Sequence, residues 1–112
     1  MSIVLSNPRY SPEQVSSGDK IKVFIDVATD GGSSLVRLRY SSVESDMTIN
    51  GGTSLPGGTK SVNTTEKTSA KTMTVEGPTG DPHKLLIIGQ EVDVDGNAIG
   101  NPTERSVRVV IV

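Results

Sequence analysis

The chain has 112 residues, with 11 Lys and Arg, 13 Asp and Glu, and a formal net charge of −2. A chain of this length forms one ordinary domain around a single core, so we expect residues 1–112 to be one domain. The weak negative charge creates no field that would gather nucleic acid or anionic lipid. Neither nucleic acid nor a membrane is expected as a partner.

Cysteine is absent, which excludes a disulfide framework, a thiolate metal site and a thiol nucleophile. The N-terminal stretch MSIVLSNPRY has no basic segment, and its apolar run is broken at Ser6 and Pro8. This run is far shorter than a signal sequence or a membrane span of about 20 apolar residues. We therefore expect a soluble chain without an export signal.

The pattern along the chain is that of β-strands separated by turns. Strict alternation of apolar and polar residues, as in KIKVFIDVAT (20–29), is typical of a half-buried strand. The predicted strands, in chain order, are residues 2–6, 20–29, 35–42, 71–77, 83–93 and 105–112, with two shorter strands at 13–16 and 46–50. No segment longer than a turn has helical spacing with caps. We predict an all-β fold, a single antiparallel two-sheet sandwich of about seven to eight strands.

Two stretches of the sequence resemble immunoglobulin-like modules of phage and bacterial surface proteins. PEQVSSGDKIKVFIDV is similar to their entry, in which a proline-led edge strand and a GD turn lead into the second strand. LLIIGQEVDVDGNAIG, followed by SVRVVIV, is similar to their final hairpin, with Asp93, Gly96 and Asn97 in its turn. The resemblance implies an immunoglobulin-like sandwich. The chain lacks the cysteine pair, core tryptophan and tyrosine corner of antibody-type domains, so jelly-roll and fibronectin-like wiring stay open.

The stretch EVDVDG, which begins at Glu91, matches the first half of a calcium-binding loop, with oxygen ligands at alternate positions and a glycine at the sixth. The twelfth position requires a bidentate carboxylate but is Pro102, and no helix is predicted on either side. We interpret residues 91–102 as a hairpin turn in which Asp95, Gly96 and Asn97 supply left-handed conformations and side-chain caps. We expect no tight calcium site and no cofactor.

The other candidates for chemistry are weak. His83 is the single histidine, and no pattern places a serine or a carboxylate beside it, so a structural role is expected. The glycine-rich stretch at 51–61 does not have the lysine spacing or the following helix of a phosphate-binding loop. We therefore predict no catalytic residues and no enzymatic activity.

Residues 50–67 are long and rich in Gly, Ser and Thr for a hairpin loop. Loops of this length are usually functional or mobile. We expect this segment to be mobile in the free protein and to become ordered against a neighbour, with Leu55 and Pro56 as its apolar tip.

Alternation also predicts an apolar strip on the outer side of one sheet. If Leu85, Ile87 and Gly89 point inwards, Leu86 and Ile88 point outwards. The same alternation, applied to neighbouring strands, extends the outward set to Leu35, Arg37, Arg39, Arg108, Val110 and Val112. An apolar centre bordered by arginines is typical of a protein–protein interface. The alternative is that the chain covers this face itself, with its N-terminal arm or a long loop, or that a bulge changes the pattern.

Two functions fit these features. The resemblance to bacterial immunoglobulin-like domains implies an adhesive or carbohydrate-binding module, although sugar stacking needs aromatic side chains and only Tyr10, Phe24 and Tyr40 are present. Small proteins that decorate phage capsids are similar in being short, cysteine-free and all-β. We expect a non-enzymatic virion accessory protein that binds a major capsid protein, with a homo-oligomer as a further option. The alternative location is the cell surface, as part of a larger exported protein.

Overall fold

A computed structural model describes residues 2–43 and 46–112. Within them the backbone forms eight strands and no helix that is long and apolar enough to cross a membrane. The strands are β1 (Ile3–Ser11), β2 (Lys20–Thr29), β3 (Ser34–Ser42), β4 (Thr48–Ile49), β5 (Ser54–Val62), β6 (Lys67–Glu76), β7 (His83–Val92) and β8 (Thr103–Val109).

The strands form two four-stranded antiparallel sheets, with the orders β1-β2-β6-β4 and β5-β3-β7-β8. This arrangement confirms the predicted sandwich. In immunoglobulin-type sandwiches the first, second and fifth main strands form one sheet, and the third, sixth and seventh form the other. Here β1-β2-β6 and β3-β7-β8 follow that order, and β5 extends the second sheet beside β3. The wiring is immunoglobulin-like.

The core lies between the two sheets, and the predicted alternation describes most of it. Inward apolar side chains of β2, β3 and β7, such as Ile25, Leu38 and Ile87, are at most 1% exposed. Val107 is the exception in the predicted inward set, because it is half-buried and packs at the edge of the core. Tyr40 is the largest fully buried side chain, and burial raises its pKa to about 12.

Two of the shorter predictions are only partly correct. Residues 13–16 do not form a strand, since Val15 makes a single parallel bridge to Ile111. Residues 46–50 contain β4, which is two residues long and pairs with the end of β6.

The prediction that residues 50–67 form one long loop is wrong, whereas mobility of this segment in the free protein stays a prediction. Ser54–Val62 is the nine-residue strand β5, which pairs with β3 along its length. The pairing shifts by one residue between Leu38 and Arg39, where Gly57 is the extra residue of a β-bulge. The left-handed Gly58, with φ of 84°, completes this bulge. The glycines that suggested a loop therefore form an irregularity within a strand.

β1 and β8 close one side of the sandwich through side chains. β1 is kinked by a bulge after Ser6, where Asn7 has a φ of 52°. The Arg105 Nε of β8 donates to the Leu5 carbonyl at 3.0 Å, and the Val110 amide donates to the Tyr10 hydroxyl at 3.3 Å. The first bond satisfies a backbone carbonyl of β1, whose free edge would otherwise be open to pairing with another chain. The second joins β1 to the segment after β8 through the Tyr10 side chain.

Candidate interaction surface

The candidate surface is the solvent side of the β5-β3-β7-β8 sheet, called here the outer face. The prediction that β3, β7 and β8 are neighbours is confirmed, because β7 pairs with β3 on one side and with β8 on the other. Alternation then places the outward side chains of these strands in rows across the sheet. One row contains Arg39, Ile88 and Glu104, and the next contains Ser41, Leu86 and Ser106.

The apolar strip on this face is narrower and less exposed than the sequence suggested. Leu86 and Ile88 are half-buried, and so are Leu35 and Arg37, whereas Arg39 is exposed. Arg108, opposite Lys84 at the far end of the face, is also exposed. The structure therefore brings together Arg39, Leu86 and Ile88, with Arg108 at the border of the same face.

Three further residues of the predicted interface lie at the edge of the outer face or away from it. Leu55 is not part of an apolar tip, because it is in β5 opposite Tyr40 and packs against the core. Pro56 is exposed and lies opposite Arg39, so it belongs to the edge of the outer face. Val110 lies just after β8, outside the apolar strip, and is half-buried. Its amide donates to the Tyr10 hydroxyl.

The connection between β7 and β8 covers one end of the outer face. Gln90 Nε2 donates to the carbonyls of Ile99 and Gly100 at 3.0 and 3.3 Å. Arg37 donates to the carbonyl of Gly96 at 3.1 Å. Val92, which shares the outward register of Leu35, is consequently only 3% exposed. The chain thus covers the Val92 end of this face itself and leaves the Leu86 and Ile88 end uncovered. The sequence did not single out the β7–β8 loop for that role.

A groove of 450 Å³ lies where this loop meets the sheet. Its apolar lining comes from Leu35, Val92, Val94 and Ile99. Val94 is 89% exposed and Ile99 is 45% exposed, so the groove continues the apolar part of the outer face onto the loop.

The sequence interpretation missed two charged residues of this face, Lys84 and Glu104. Lys84 is exposed on β7, two residues before Leu86. Glu104 is exposed on β8 and lies directly opposite Ile88. The last strand was predicted to begin at residue 105, after Pro102, but β8 begins at Thr103. Extending the alternation of Arg108 and Ser106 two residues towards the N-terminus would have placed Glu104 on the same face.

The calcium-like stretch forms a tight turn stabilised by Asp93. One carboxylate oxygen of Asp93 accepts the amides of Asp95 and Asn97, both at 2.9 Å. The Asp93 amide donates to the Asn97 carbonyl at 2.9 Å, and Gly96 is left-handed with φ of 86°. The predicted turn is therefore present, but of the three residues expected to be left-handed only Gly96 is, since neither Asp95 nor Asn97 has a positive φ. Among residues 2–43 and 46–112, no three His, Asp or Glu side chains are grouped to hold a metal ion.

We expect Asp93→Ala to lower the melting temperature by a few degrees, because the carboxylate caps two backbone amides. The Asn97 amide lowers the Asp93 pKa below 3.8, so this carboxylate stabilises the folded state above pH 3.8 and loses that effect as pH falls through its folded pKa. The melting temperatures of the parent and of Asp93→Ala, measured as a function of pH, should therefore converge in acid. Asp95→Ala is the control and should match the parent throughout. Calcium titration calorimetry of the parent should give no micromolar binding.

His83 lies apart from the outer face. Its ring is buried, with Nε2 3.0 Å from the Pro78 carbonyl oxygen and Nδ1 3.4 Å from an Asp46 carboxylate oxygen. Both nitrogens thus have partners that hold the turn before β7. This arrangement is consistent with the structural role expected for His83.

By its fold the chain is a β-sandwich with immunoglobulin-type strand order. No protein-family model and no curated protein matches it. Among solved structures, it is similar to part of a novel β-glucosidase from Erythrobacter marinus, with 15% sequence identity and a TM-score of 0.42. That likeness covers 97% of this chain and 15% of the other, so the chain spans a small part of the glucosidase's length.

Proposed function

We propose that this chain is a non-enzymatic structural domain that binds another protein through its outer face. The observation that carries the proposal is the patch formed by Leu86 and Ile88 between Arg39 and Arg108. Apolar side chains at the centre of a patch and arginine at its border are the composition that distinguishes interfaces from ordinary protein surface.

The partner we propose is a major capsid protein, and the role is that of a virion accessory protein that stabilises the assembled shell. Support comes from the absence of cysteine in this sequence and from the all-β sandwich. The edges of the binding sheet also suit such a role. β5 carries Pro56, a bulge and Lys60, features that discourage edge-to-edge aggregation while leaving the face free.

The positions of the aromatic residues give less support to a carbohydrate-binding module. Tyr40 is 1% exposed in the core. The Arg9 guanidinium lies over the Phe24 ring, 5.4 Å from its centroid. Tyr10 is half-buried and accepts the Val110 amide. A flat exposed ring on which a sugar could stack is thus not provided by these three residues.

Mass spectrometry of fractions from the native source tests the proposed setting. We expect peptides of this chain in purified virions, in a fixed ratio to the major capsid protein. Recovery of the chain from the cell-envelope fraction, with none in virions, would contradict the virion role and favour an adhesive module.

We expect Leu86→Glu and Ile88→Glu, made singly, to weaken binding to purified shells that lack this protein by at least about tenfold, because each places a carboxylate in the apolar centre of the contact. Both side chains are half-buried, so the free energy of unfolding should change by no more than about 1 kcal/mol. Val4→Glu, at a 41% exposed position on β1 of the other sheet, is the matched control and should leave shell binding unchanged. Collapse of the fold in both variants would instead show that these residues belong to the core.

A further inference from the structure

A cavity of 290 Å³ opens on the side of the sandwich where β5 and β6 face each other. Residues 63–66 carry the chain from the end of β5 in one sheet to the start of β6 in the other. β6 pairs with β2 along Lys67–Thr74 and with β4 at its last two residues, so in the described structure its other edge is open near the cavity. The mouth of the cavity therefore lies between two free strand edges.

Lysines of both sheets have a register that directs them towards this cavity. Lys60 of β5 lies opposite Val36. Lys67 of β6 lies opposite Val27, and both valines are at most 1% exposed in the core. Residues opposite each other on neighbouring strands point to the same side of the sheet, so both lysines are on its core side. Lys71, four residues after Lys67, shares this register and is half-buried.

The lining of the cavity is positively charged. Lys60 and Lys67 line it together with hydroxyl and apolar side chains, and no Asp or Glu is among the described lining residues. No ion pair in the described part of the chain involves Lys60, Lys67 or Lys71. Their ammonium groups are therefore free to bind an anion from solution.

The acidic residues near the cavity have other partners. Four of them lie close to the lining residues in sequence or strand order, and each accepts a hydrogen bond: Asp26 from the Thr68 hydroxyl, Asp30 from the Ser2 amide, Glu66 from the Ser6 hydroxyl and Glu91 from the Ser34 hydroxyl. Asp26 points to the solvent side of its sheet. Glu91 lies two strands from Lys60, roughly 10 Å away.

The cavity also contains a buried hydroxyl group without a partner. Ser69 lies opposite Ile25 on the core side of β6 and is 3% exposed. Within residues 2–43 and 46–112, no hydrogen bond reaches its hydroxyl. No fully enclosed side-chain nitrogen or oxygen in that part of the chain lacks a partner, so the Ser69 hydroxyl is accessible from the cavity that it lines. It can donate to a ligand there.

We propose that this cavity binds a doubly charged oxyanion, the phosphate or sulfate group of a small ligand. Lys60 and Lys67 approach it from opposite sheets and supply two positive charges, and the Ser69 hydroxyl donates from the floor. A singly charged carboxylate would leave one ammonium group unpaired. One water molecule occupies about 30 Å³ in the liquid, so a cavity of 290 Å³ can hold such an ion with part of its hydration.

This inference goes beyond the proposed protein contact, because the cavity lies between the sheets and the outer face is on the solvent side of one of them. The lysines of the free edges also discourage pairing with other chains. That effect explains why charge is placed at the edges, but it does not account for an accessible, unpartnered hydroxyl beneath them.

Titration of the isotope-labelled chain with inorganic phosphate, followed by the NMR shifts of its backbone amides, tests the inference. At about pH 7.5 a phosphate group is mainly doubly charged. A constant ionic strength of about 0.1 M screens charges more than ~10 Å apart. We expect saturable shifts at residues 60–62 and 67–71, with a dissociation constant on the order of 1 mM. Sulfate should bind similarly, and acetate at least about fivefold more weakly.

Substitutions locate the site. Lys60→Gln and Lys67→Gln should each raise the dissociation constant for phosphate at least about fivefold, and Ser69→Ala about threefold. Lys22→Gln, exposed on the solvent side of the β2 sheet, is the matched control and should leave binding unchanged. Glycerol phosphate distinguishes the two sources of the group. Binding at least as tight as that of inorganic phosphate indicates an esterified ligand, and its exclusion indicates the free ion.

Three results would overturn the inference: no saturable shift up to about 20 mM phosphate, acetate binding as tight as phosphate, or an equal loss of binding in Lys22→Gln. Thermal melting identifies any variant that has lost its fold. The outer face takes no part in this titration, so failure here would leave the proposed protein contact standing. Loss of shell binding in the outer-face variants would likewise leave the anion site untouched.

Discussion

Leu5→Ala should destabilise the fold by about 2–5 kcal/mol, the range observed when a buried leucine is reduced to alanine and the cavity collapses incompletely. Leu5 is 0% exposed and lies on β1, where it reaches across the core to β7. The neighbouring residue Val4 is on the other side of the strand and is 41% exposed. Val4→Ala is the matched control, and we expect it to change stability by less than about 0.5 kcal/mol.

The cavity at Leu5 should be coupled to Gly89. A Cβ atom placed on Gly89 would lie 3.2 Å from Leu5 Cδ2 and 3.3 Å from Cδ1, so glycine leaves the space that the leucine occupies. Gly89→Ala alone should therefore cost about 1–3 kcal/mol through overpacking. In the Leu5→Ala background the same methyl enters the cavity. The double variant should therefore lose less stability than the sum of the two single losses, by at least about 0.5 kcal/mol.

Urea unfolding of the four proteins in this cycle measures the coupling energy. Strict additivity would show that Leu5 and Gly89 do not share one packing site. A loss of stability on Val4→Ala as large as that on Leu5→Ala would show that the assignment of the two faces of β1 is wrong.

Alternation accounts for why the sandwich could be predicted from the sequence. β2 and β7 lie across the core with one buried side, so an apolar residue recurs at every second position. Burial at Ile21, Val23 and Ile25 and at Leu85 and Ile87 follows that pattern. The outer face is a direct consequence of the same rule, because residues between the buried ones must point the other way.

The parts that could not be predicted depend on contacts between distant residues. Val92 has an outward register yet is 3% exposed, because the loop after it folds back and bonds to Gln90 and Arg37. Arg105 has an inward register yet is exposed, and its guanidinium caps the Leu5 carbonyl. Neither arrangement leaves a local signal, since each depends on which segments meet in the folded chain.

The segment SLPGGTKSV shows why composition misled the interpretation of β5. Pro56, Gly57 and Gly58 are residues of turns in most settings, and together they obscured the alternation on either side. A bulge uses the same residues, because it needs an extra position and a left-handed one inside a strand. The distinction between a loop and a bulge is made by β3, which supplies the pairing partners from Ser34 to Ser41.

The same bulge leads to the final prediction. Gly57→Ala should destabilise the fold by about 3 kcal/mol, near the upper end for overpacking. A Cβ atom at this position would lie 2.6 Å from Tyr40 Cε2, 3.0 Å from Leu38 Cβ and 3.1 Å from the Leu38 carbonyl oxygen. Tyr40 is 1% exposed and cannot move without displacing other core side chains. The backbone of Leu38 is held by strands on both sides.

The ionisation of Tyr40 shows whether its ring is the group that moves when a methyl is added at Gly57. Burial raises the Tyr40 pKa to about 12, so the folded parent should lose stability as pH rises above the ordinary value of 10.0 and the unfolded phenol ionises first. If the added methyl pushes the ring towards solvent, ultraviolet titration of the tyrosinate in the folded variant should show a pKa closer to 10.0.

Gly58→Ala is the control, since its Cβ would meet nothing within 4 Å. With φ of 84°, it should cost only the backbone strain of about 1–2 kcal/mol and leave the tyrosine titration unchanged. Equal losses of stability in the two variants, with unaltered Tyr40 ionisation in both, would mean that left-handed backbone strain, and not contact with Tyr40, requires glycine in this bulge.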